Sequence, residues 1–346
     1  MKPSAFQRVC VVGLGKLGLP WACVLASKGI EVVGIDTSPL AVEVVNSAAY
    51  RGHEPDVAQL LSQHRERLNA TEDFEAVDGT QAAFVVVPTP SDARQRFSLD
   101  YVLTAVEQIA RAVTRADIED YTIALVSTVM PLACERFILP AIERASVHRA
   151  RRGIHLAYCP EFVALGQVVR GMLHPDLVLI GAADQAVSHR LADFYRGIVQ
   201  NNPAVIETSL ASAEVAKLGI NSMLSFKVAC ANLLSRLCHE LPGASVDEVT
   251  RAVGSDSRIG PKFLRGGLGF GGPCLPRDVR ALASLCQDLG IDSGIPDAVS
   301  NFNASMPDAI VQIVSRELAE HGPTSNGTVA RNRPEPRTPN PYPLTV

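Results

Sequence analysis

Over the first 200 residues, short runs with almost no polar positions alternate with longer stretches of helical periodicity. Runs rich in valine and isoleucine that lack polar alternation are typical of parallel strands covered on both faces. Their alternation with helices predicts an α/β domain with a Rossmann-type, doubly wound parallel sheet over residues 1–203. The predicted strands are Val9–Val12, Glu31–Ile35, Ala82–Val87, Thr122–Val126, His155–Ala157 and Leu177–Ile180, and the predicted helices among them are Leu17–Ser27 and Tyr101–Val113.

The pattern becomes wholly helical after residue 203. Ser209 to Leu241 is one stretch of helix formers, which at 1.5 Å per residue predicts a helix of about 48 Å. Ser209 or Ser212 can cap its start, with Glu214 in the first turns, and Pro242–Gly243 ends it. We therefore predict an all-α central domain over residues 204–320, and a helix of this length favours a homodimer formed through it. Its other predicted helices are Val246–Val253, capped by Ser245, then Arg280–Leu289 and Ala309–Glu320.

The last segment, residues 321–346, has a different composition. It holds six prolines, few apolar residues and no periodicity. Such a segment cannot bury enough apolar surface to offset the entropy lost on ordering. It is predicted to be a disordered tail.

The composition narrows the functional classes. Of the 346 residues, 47% are hydrophobic and 20% charged, with a formal net charge of −4, which suits a soluble multidomain enzyme and argues against a basic nucleic-acid surface. The eight cysteines are scattered without a C-x-x-C pair, so we expect no metal site and no disulfide framework, and most are predicted to be buried and reduced. No apolar run reaches the length of a membrane span and no leader precedes the first strand, so we expect no membrane association and a cytoplasmic location.

A dinucleotide fingerprint closes the first strand. Gly13–Leu14–Gly15–Lys16–Leu17–Gly18 fits G-x-G-x-x-G and opens the next helix, which is the context that the motif requires. Gly13 permits the tight turn, Gly15 lets a pyrophosphate approach the backbone, and Gly18 allows close helix–strand packing. Asp36 ends the second strand, where a carboxylate binds ribose hydroxyls and repels a 2′-phosphate, so NAD is expected rather than NADP. The same fingerprint serves FAD, for which no second feature is present, and the alternative is a glycine-rich turn beside a surface aspartate.

A second glycine-rich loop carries a cysteine. Five glycines lie within residues 266–272, and Cys274, Arg277 and Asp278 follow them. Glycine lets the backbone approach a ligand closely, Arg277 can hold Cys274 as the reactive thiolate, and Asp278 can orient a base or a water. The alternative is a flexible loop with a buried structural thiol.

A nicotinamide cofactor and a nucleophilic cysteine together suggest a chemistry. A thiolate adds to an aldehyde, hydride transfer to NAD⁺ leaves a thioester, and water then releases an acid. An alcohol enters the same sequence one oxidation earlier. The combination predicts a four-electron oxidation that uses two NAD⁺.

Such a reaction also needs a proton acceptor for water and donors for developing oxyanions. Lys217 and Asn221, at positions i and i+4, project from one helix face. Glu161 lies in a polar insertion between apolar runs, and Thr128 follows a strand at the carboxyl edge, where such sheets bind ligands. Taken singly, these residues also fit a solvated helix face, a surface glutamate and a helix cap.

With these residues in place, the chain resembles the UDP-glucose/GDP-mannose dehydrogenase family, in order over about residues 8–312. The cysteine loop and the helix that carries Lys217 and Asn221 are the most specific parts of the resemblance. The matching segments are Gly13–Pro20, Val87–Pro90, Ser127–Val129, Pro160–Phe162, Pro175–Asp176, Ile180–Gly181, Glu214–Lys217 with Asn221, Arg258–Gly260 and Gly269–Asp278.

The resemblance implies a role for each candidate. The implied catalytic set is Cys274 as the thiohemiacetal and thioester nucleophile, Lys217 for oxyanions, Asn221 to hold the reacting group, Glu161 for proton transfer in hydrolysis, and Thr128 with Asp278 to position a water. The implied NAD contacts are Gly13, Gly15, Lys16, Leu17, Gly18, Asp36, Pro88, Thr89 and Thr128. The implied contacts to a nucleotide-sugar substrate are Phe162, Val163, Lys217, Asn221, Lys262, Arg265, Gly271 and Arg258, the last of which reaches the substrate of the neighbouring subunit.

Two departures from the family pattern bear on function. Leu165 stands where a second glutamate is usual, which removes a carboxylate near the sugar. The resemblance ends near residue 312, so the family's third, nucleotide-gripping domain is expected to be missing, and with it binding energy that also supports kcat. Smaller changes are Pro273 in place of a serine and Arg277 in place of a lysine.

Three functions stay open on the sequence. The first is an NAD-dependent nucleotide-sugar 6-dehydrogenase that makes a uronic acid, of the UDP-glucose to UDP-glucuronate type, with a partner supplying the missing grip. The second is an NAD-dependent oxidoreductase that acts on a smaller or altered sugar and stops at the aldehyde. The third is a catalytically inactive, truncated relative that dimerises or binds NAD.

Overall fold

The computed structural model describes residues 6–146 and 153–321. The predicted disordered tail, apart from its first residue, lies outside the described residues. The chain divides into two compact units, the first extending to Lys217 and the second beginning at Leu218. The domain limits given by the sequence remain predictions.

The first unit is built on one eight-stranded sheet. Its strands are β1 (Arg8–Val12), β2 (Glu31–Ile35), β3 (Leu68–Thr71), β4 (Ala82–Val85), β5 (Tyr121–Leu125), β6 (Ile154–Tyr158), β7 (Leu177–Ala182) and β8 (Ala204–Thr208). In the order β3-β2-β1-β4-β5-β6-β7-β8, every neighbouring pair of these strands is parallel except β6 and β7, where Ala157 pairs with Ala182. The Rossmann-type prediction is confirmed, with one antiparallel pairing as a departure from a fully parallel sheet.

Helices cover both faces of this sheet. They are α1 (Gly18–Ser27), α2 (Pro39–Asn46), α3 (Val57–Gln63), α4 (Asp100–Arg115), α5 (Leu139–Ala145), α6 (Val168–Leu173) and α7 (Gln185–Ile198). Val9 and Val11 of β1 pack into one core with α1, α3, α6 and α7, whereas Cys10 and Val12 pack into the other with α4 and α5. Both faces of the strand are therefore buried, which explains the absence of polar alternation in its sequence.

The helices that follow are α8 (Leu210–Glu240), α9 (Val246–Ser255), α10 (Leu275–Asp288) and α11 (Gly294–His321). With 31 residues, α8 begins in the first unit and continues into the second, and its length is about 46 Å. Ser209 Oγ accepts from the Ser212 amide at 3.2 Å, which confirms the predicted cap. Within the second unit, Phe270 and Val279 form a small core with Ala229.

Several predicted elements differ from the observed ones. The edge strands β3 and β8 are missing from the prediction. Helix α10 begins at Leu275 rather than Arg280, because Pro276 occupies its first turn, where proline needs no amide partner. Helix α11 begins at Gly294 rather than Ala309 and runs through Pro307. Ser245 precedes α9 as expected, but its side chain makes no capping hydrogen bond.

The cysteines are less uniformly buried than predicted. All eight are free, but only half are buried, two are half-buried, and Cys230 and Cys274 are exposed. Burial raises the pKa of Cys10 to about 11 and that of Cys23 to about 12, so these two remain neutral thiols at physiological pH. Within the described ranges, no helix combines the length and apolarity that a membrane span requires, and no group of three or more His, Cys, Asp or Glu side chains is arranged to hold a metal ion.

Candidate functional site

The glycine turn between β1 and α1 is shaped by backbone contacts. Gly13 has φ +92°, and a Cβ on it would lie 2.6 Å from the Val86 carbonyl oxygen. A Cβ on Gly18 would lie 1.7 Å from the Gly13 oxygen, whereas a Cβ on Gly15 would meet nothing within 4 Å. Gly13 and Gly18 are thus required by the fold, while Gly15 leaves open space at the start of a helix, where an anion is favoured. Lys16 is exposed and Leu17 half-buried in the same turn.

Asp36 is held beside this turn. Its Oδ2 accepts from the Leu14 amide at 2.6 Å and its Oδ1 from the Ser38 amide at 2.9 Å. The carboxylate is therefore fixed at the end of β2 next to the glycine loop. The open face at Gly15 and this fixed charge fit a dinucleotide with a free 2′-hydroxyl.

Further predicted cofactor residues follow β4 and β5, which are neighbours in the sheet. Pro88 is exposed and Thr89 buried after β4, and Thr128 is half-buried after β5. Ser127 Oγ donates to the Val87 oxygen at 2.7 Å and ties the two strand ends together. The topology thus brings these residues to the same carboxyl edge as the glycine turn, since β4 also pairs with β1.

A buried carboxylate anchors the segment that follows Thr128. Glu214 of α8 is fully buried and accepts from the Leu132 amide at 2.6 Å and the Cys134 amide at 2.8 Å. Burial raises the pKa of Glu214, and the two backbone donors oppose that rise. Leu132 has φ +69°, a conformation that costs a non-glycine residue energy. The sequence placed Glu214 only in the first turns of the helix and gave no sign of this anchoring role.

Lys217 and Glu161 meet in the first unit. Lys217 Nζ donates to the Glu161 backbone oxygen at 2.7 Å and lies 4.4 Å above the Phe162 ring, with only 7% of the residue exposed. A largely buried ammonium held by a carbonyl and an aromatic face has a fixed position. The structure therefore excludes the solvated-face alternative for Lys217 and brings together three of the predicted residues.

The Glu161 side chain has an unusual protonation equilibrium. Burial raises the pKa of Glu161 to about 7, while the charge of Lys217 and the hydroxyl of Tyr195 lower it. A carboxyl group with a pKa near the operating pH can both accept and donate a proton. Tyr195, on α7, is a further residue that sequence reasoning missed, since nothing in its local pattern separates it from a core aromatic.

In the second unit, Cys274 immediately precedes α10 and is exposed. One turn along, Asp278 is fully buried, and its oxygens accept from Asn221 Nδ2 at 2.6 Å and Arg277 Nε at 2.9 Å. The alternative interpretation, in which Cys274 is a buried structural thiol, is therefore wrong. Arg277 contacts Asp278, and its predicted influence on the thiol stays a prediction.

The loop before Cys274 is fastened by polar side chains of the second unit. Lys227 Nζ donates to the Ile259 and Gly260 oxygens at 3.0 and 3.1 Å. Asn232 donates to the Leu268 oxygen and accepts from the Gly267 amide, and Asn303 makes the corresponding pair of bonds with Phe270. The loop is thus held in place despite its glycines, and these three side chains were not predicted.

The predicted substrate residues of this loop lie at its surface. Arg258 has 86% of its side chain exposed and pairs with Asp256 through Nη2 at 2.6 Å. Lys262, Arg265 and Gly271 are also exposed. In the first unit, Phe162 and Val163 are half-buried. Each of these positions is compatible with ligand contact, and their roles remain predictions.

Two family domains match the chain. The NAD binding domain of the UDP-glucose/GDP-mannose dehydrogenase family matches residues 7–199, and the central domain of the same family matches residues 211–305.

Relatives of similar sequence are named UDP-glucose 6-dehydrogenase. The protein from Haloferax volcanii is 32% identical over 311 residues, which cover 89% of this chain and 72% of the relative. UDP-glucose 6-dehydrogenase 1 of Oryza sativa is 36% identical over 295 residues, which cover 82% of this chain and 60% of the relative.

Solved structures show the same fold. A UDP-glucose dehydrogenase from the archaeon Pyrobaculum islandicum superimposes with a TM-score of 0.84 at 29% identity, covering 92% of this chain and 73% of that one. The GDP-mannose dehydrogenase of Pseudomonas aeruginosa, solved as a ternary complex, gives a TM-score of 0.69 at 27% identity, covering 89% and 71%.

Proposed function

The chain belongs to the UDP-glucose/GDP-mannose dehydrogenase family of NAD-dependent oxidoreductases, and we propose that it oxidises the primary alcohol of a nucleotide-linked hexose to a carboxylate. The observation that carries the proposal is the exposed Cys274 at the start of α10, one turn from the buried Asp278–Asn221 pair. A thiol that served only the core would be buried, as four other cysteines of this chain are.

The proposed reaction consumes an alcohol, one water and two NAD⁺, and yields a carboxylate, two NADH and three protons. NAD⁺, when bound, supplies the acceptor for the hydrides. The Cys274 sulfur forms a C–S bond to the aldehyde carbon, and the carbonyl oxygen then carries the developing negative charge. The resemblance to the family assigns Lys217 and Asn221 to the stabilisation of that oxygen by hydrogen-bond donation. Lys217 is held within the first unit by the Glu161 oxygen, and Asn221 is held within the second unit by Asp278.

Hydrolysis of the thioester completes the proposed sequence. The Glu161 carboxylate accepts a proton from the attacking water, the C–S bond breaks, and the sulfur leaves as thiolate. A Glu161 pKa of about 7 leaves a large fraction of this group ionised at neutral pH. Lys217 supports this step as well, because its hydrogen bond to the Glu161 oxygen fixes the start of the loop.

A second candidate function stops at the aldehyde. Leu165, with 40% of its surface exposed, stands where the family pattern has a glutamate, and it can neither accept a proton nor hold a water. If the second hydride transfer depends on a carboxylate at that position, the chain performs only the first oxidation and releases the aldehyde. The two functions differ in the NADH formed per sugar.

The stoichiometry of NADH decides between them. The purified chain is mixed with limiting UDP-, GDP- or TDP-hexose and excess NAD⁺, and NADH is followed at 340 nm while the sugar product is identified by mass spectrometry. Two NADH per sugar and a uronic acid support the proposal, one NADH and an aldehyde support the second candidate, and no NADH contradicts both. Cys274→Ser is expected to abolish acid formation, whereas the matched control Cys286→Ser, in the helix that follows Cys274, is expected to retain it. Acid formation by Cys274→Ser at the unaltered rate would remove the thioester from the mechanism.

We also propose that the chain forms a homodimer through α8. Met223, Cys230, Leu233, Leu237 and Leu241 are exposed along the helix and at its end. At 100° per residue these positions fall within an arc of about 80°, so they form one apolar stripe. Light scattering tests the proposal, with twice the mass of one chain expected. We also propose, as a separate point, that the protein is located in the cytoplasm.

A further inference from the structure

Glu54 contacts the loop that carries Glu161. Its Oε2 accepts from the Gly166 amide at 2.8 Å, and its Oε1 accepts from the Val168 amide at 2.6 Å. Glu54 lies between α2 and α3, more than 100 residues earlier in the chain, and all three residues belong to the first unit. Both oxygens of one carboxylate are therefore used to hold a distant loop.

The loop needs an external acceptor at this point. Val168 is the first residue of α6, and the preceding Gln167 provides no side-chain cap. Gly166 has φ +86°, and the Gln167 amide bonds back to the Ala164 oxygen at 3.1 Å in a tight turn. The amides of the first helical turn have no partner within their own helix, so the Glu54 carboxylate satisfies donors that the local sequence leaves open.

The loop from Glu161 to Val168 is consequently tied at both ends. Lys217 holds the Glu161 oxygen at 2.7 Å, and Glu54 holds the opposite end at Gly166 and Val168. Val163 in its middle packs against α6, since a Cβ on Gly171 would lie 2.9 Å from a Val163 methyl group. A segment with these three attachments has little freedom to move relative to the sheet.

We propose that Glu54 is a positioning residue for hydrolysis, which fixes the Glu161 loop through the Gly166 and Val168 amides. The inference rests on the proposed function, because it assigns to Glu54 the placement of the group that activates water. Glu54 touches neither substrate nor cofactor in this role. Placement matters because a displacement of about 1 Å in a catalytic group lowers the rate by about 100-fold.

Two substitutions of Glu54 test the two hydrogen bonds that its carboxylate accepts. Glu54→Ala removes both acceptors, whereas Glu54→Gln keeps one oxygen and is expected to rescue part of the effect. For Glu54→Ala, hydrogen–deuterium exchange of a peptide spanning residues 161–170 is expected to accelerate by at least about tenfold at two amides. Acid formation is expected to slow by at least about tenfold, while the KM for NAD⁺ stays unchanged.

Asp184→Ala is the matched control. Asp184 Oδ1 accepts from the Ala186 amide at 2.8 Å and caps α7, so its loss removes a comparable carboxylate–amide bond. This variant is expected to lose a similar amount of thermal stability and to gain exchange near residue 186. Its rate of acid formation and the exchange of residues 161–170 are expected to match those of the unsubstituted chain.

Two results would overturn the inference. One is unaltered exchange of residues 161–170 in Glu54→Ala, which would mean that the carboxylate does not hold the loop. The other is a rate loss in Glu54→Ala no larger than that in Asp184→Ala, which would leave only a structural role. If the unsubstituted chain forms no NADH with any sugar, the proposed function and the hydrolytic role fall together, and the exchange result alone decides whether Glu54 holds the loop.

Discussion

The Asn221 amide donates a 2.6 Å hydrogen bond to Oδ2 of Asp278, a carboxylate with no exposed surface. Arg277 Nε donates to the other oxygen at 2.9 Å. The carboxylate therefore orients the Asn221 amide, and it joins α8 to α10 inside the second unit. Asn221 and Asp278, which are both predicted to be catalytic, are thus also expected to stabilise the second unit.

We expect the Asn221–Asp278 contact to appear as a coupling energy. A buried hydrogen bond to a carboxylate contributes about 1.5–3 kcal/mol, so Asn221→Ala and Asp278→Ala should each destabilise the second unit, with the double variant losing less than the sum. Urea unfolding followed by far-UV circular dichroism measures the cycle. Asp256→Asn, which removes a half-buried carboxylate from its pair with the exposed Arg258, is the control and should alter the unfolding midpoint little. Losses that add within about 0.5 kcal/mol would mean that the two residues act independently.

The pH dependence of acid formation should report on Glu161 and Tyr195. The rate is expected to rise with pH through the Glu161 pKa of about 7, since the ionised carboxylate accepts the proton from water. The Tyr195 hydroxyl lowers that pKa, so Tyr195→Phe should move the rising limb to higher pH. Tyr121→Phe is the matched control, because this equally buried hydroxyl contacts Thr80 instead. A limb that moves in both variants, or in neither, would contradict the assignment.

Glu161 should also shape the pH dependence of stability. Burial raises the Glu161 pKa from 4.5 to about 7, so between these values the folded chain binds more protons than the unfolded chain, and its stability falls as pH rises. Glu161→Gln lacks this loss and should gain about 3 kcal/mol relative to the unsubstituted chain between pH 4.5 and 7.5. Urea unfolding followed by the fluorescence of Trp21, the single tryptophan, measures the first unit.

Asp120→Asn provides a control of opposite sign for that experiment. The hydrogen bond from Arg190 lowers the pKa of Asp120, so its contribution is present above the unfolded pKa and is lost as pH falls through the folded one. The difference between Asp120→Asn and the unsubstituted chain should therefore shrink toward acid pH. Parallel pH curves for Glu161→Gln and the unsubstituted chain would show that Glu161 titrates alike in both states.

The central strands were predictable because burial on both faces leaves a local mark. Val9–Val12 and Glu31–Ile35 read as apolar runs, and they form β1 and β2. The edge strand β3 carries no such mark, since Leu68 and Ala70 are buried while Asn69 is exposed, and the strand has only four residues. Short, half-polar strands at an edge owe their structure to pairing with a neighbour, which a local pattern does not record.

The residues of the candidate site likewise fall into those that a local sequence signal predicts and those that it does not. The glycine turn and the cysteine loop were found because glycine spacing is a local signal of backbone geometry. The contacts of Glu54 and Glu214 were missed, because each joins segments more than 30 residues apart. A side chain that positions another residue through a long-range bond looks, in sequence, like any surface acid or core aromatic.

The three glycines of the fingerprint should respond differently to a methyl group. A Cβ on Gly18 meets the backbone oxygen of Gly13 at 1.7 Å, and backbone cannot yield as a flexible side chain does, so Gly18→Ala should destabilise the first unit by about 3 kcal/mol or more.

A Cβ on Gly15 meets nothing within 4 Å, so Gly15→Ala should fold with unaltered stability. It should nevertheless weaken NAD binding by at least about tenfold, because the added methyl group occupies the approach of the pyrophosphate. Urea unfolding by Trp21 fluorescence and calorimetric titration with NAD⁺ separate the two effects. If Gly15→Ala binds NAD⁺ with unaltered affinity, the pyrophosphate does not lie against this turn, whereas lost stability in Gly15→Ala would make the glycine a requirement of the fold alone.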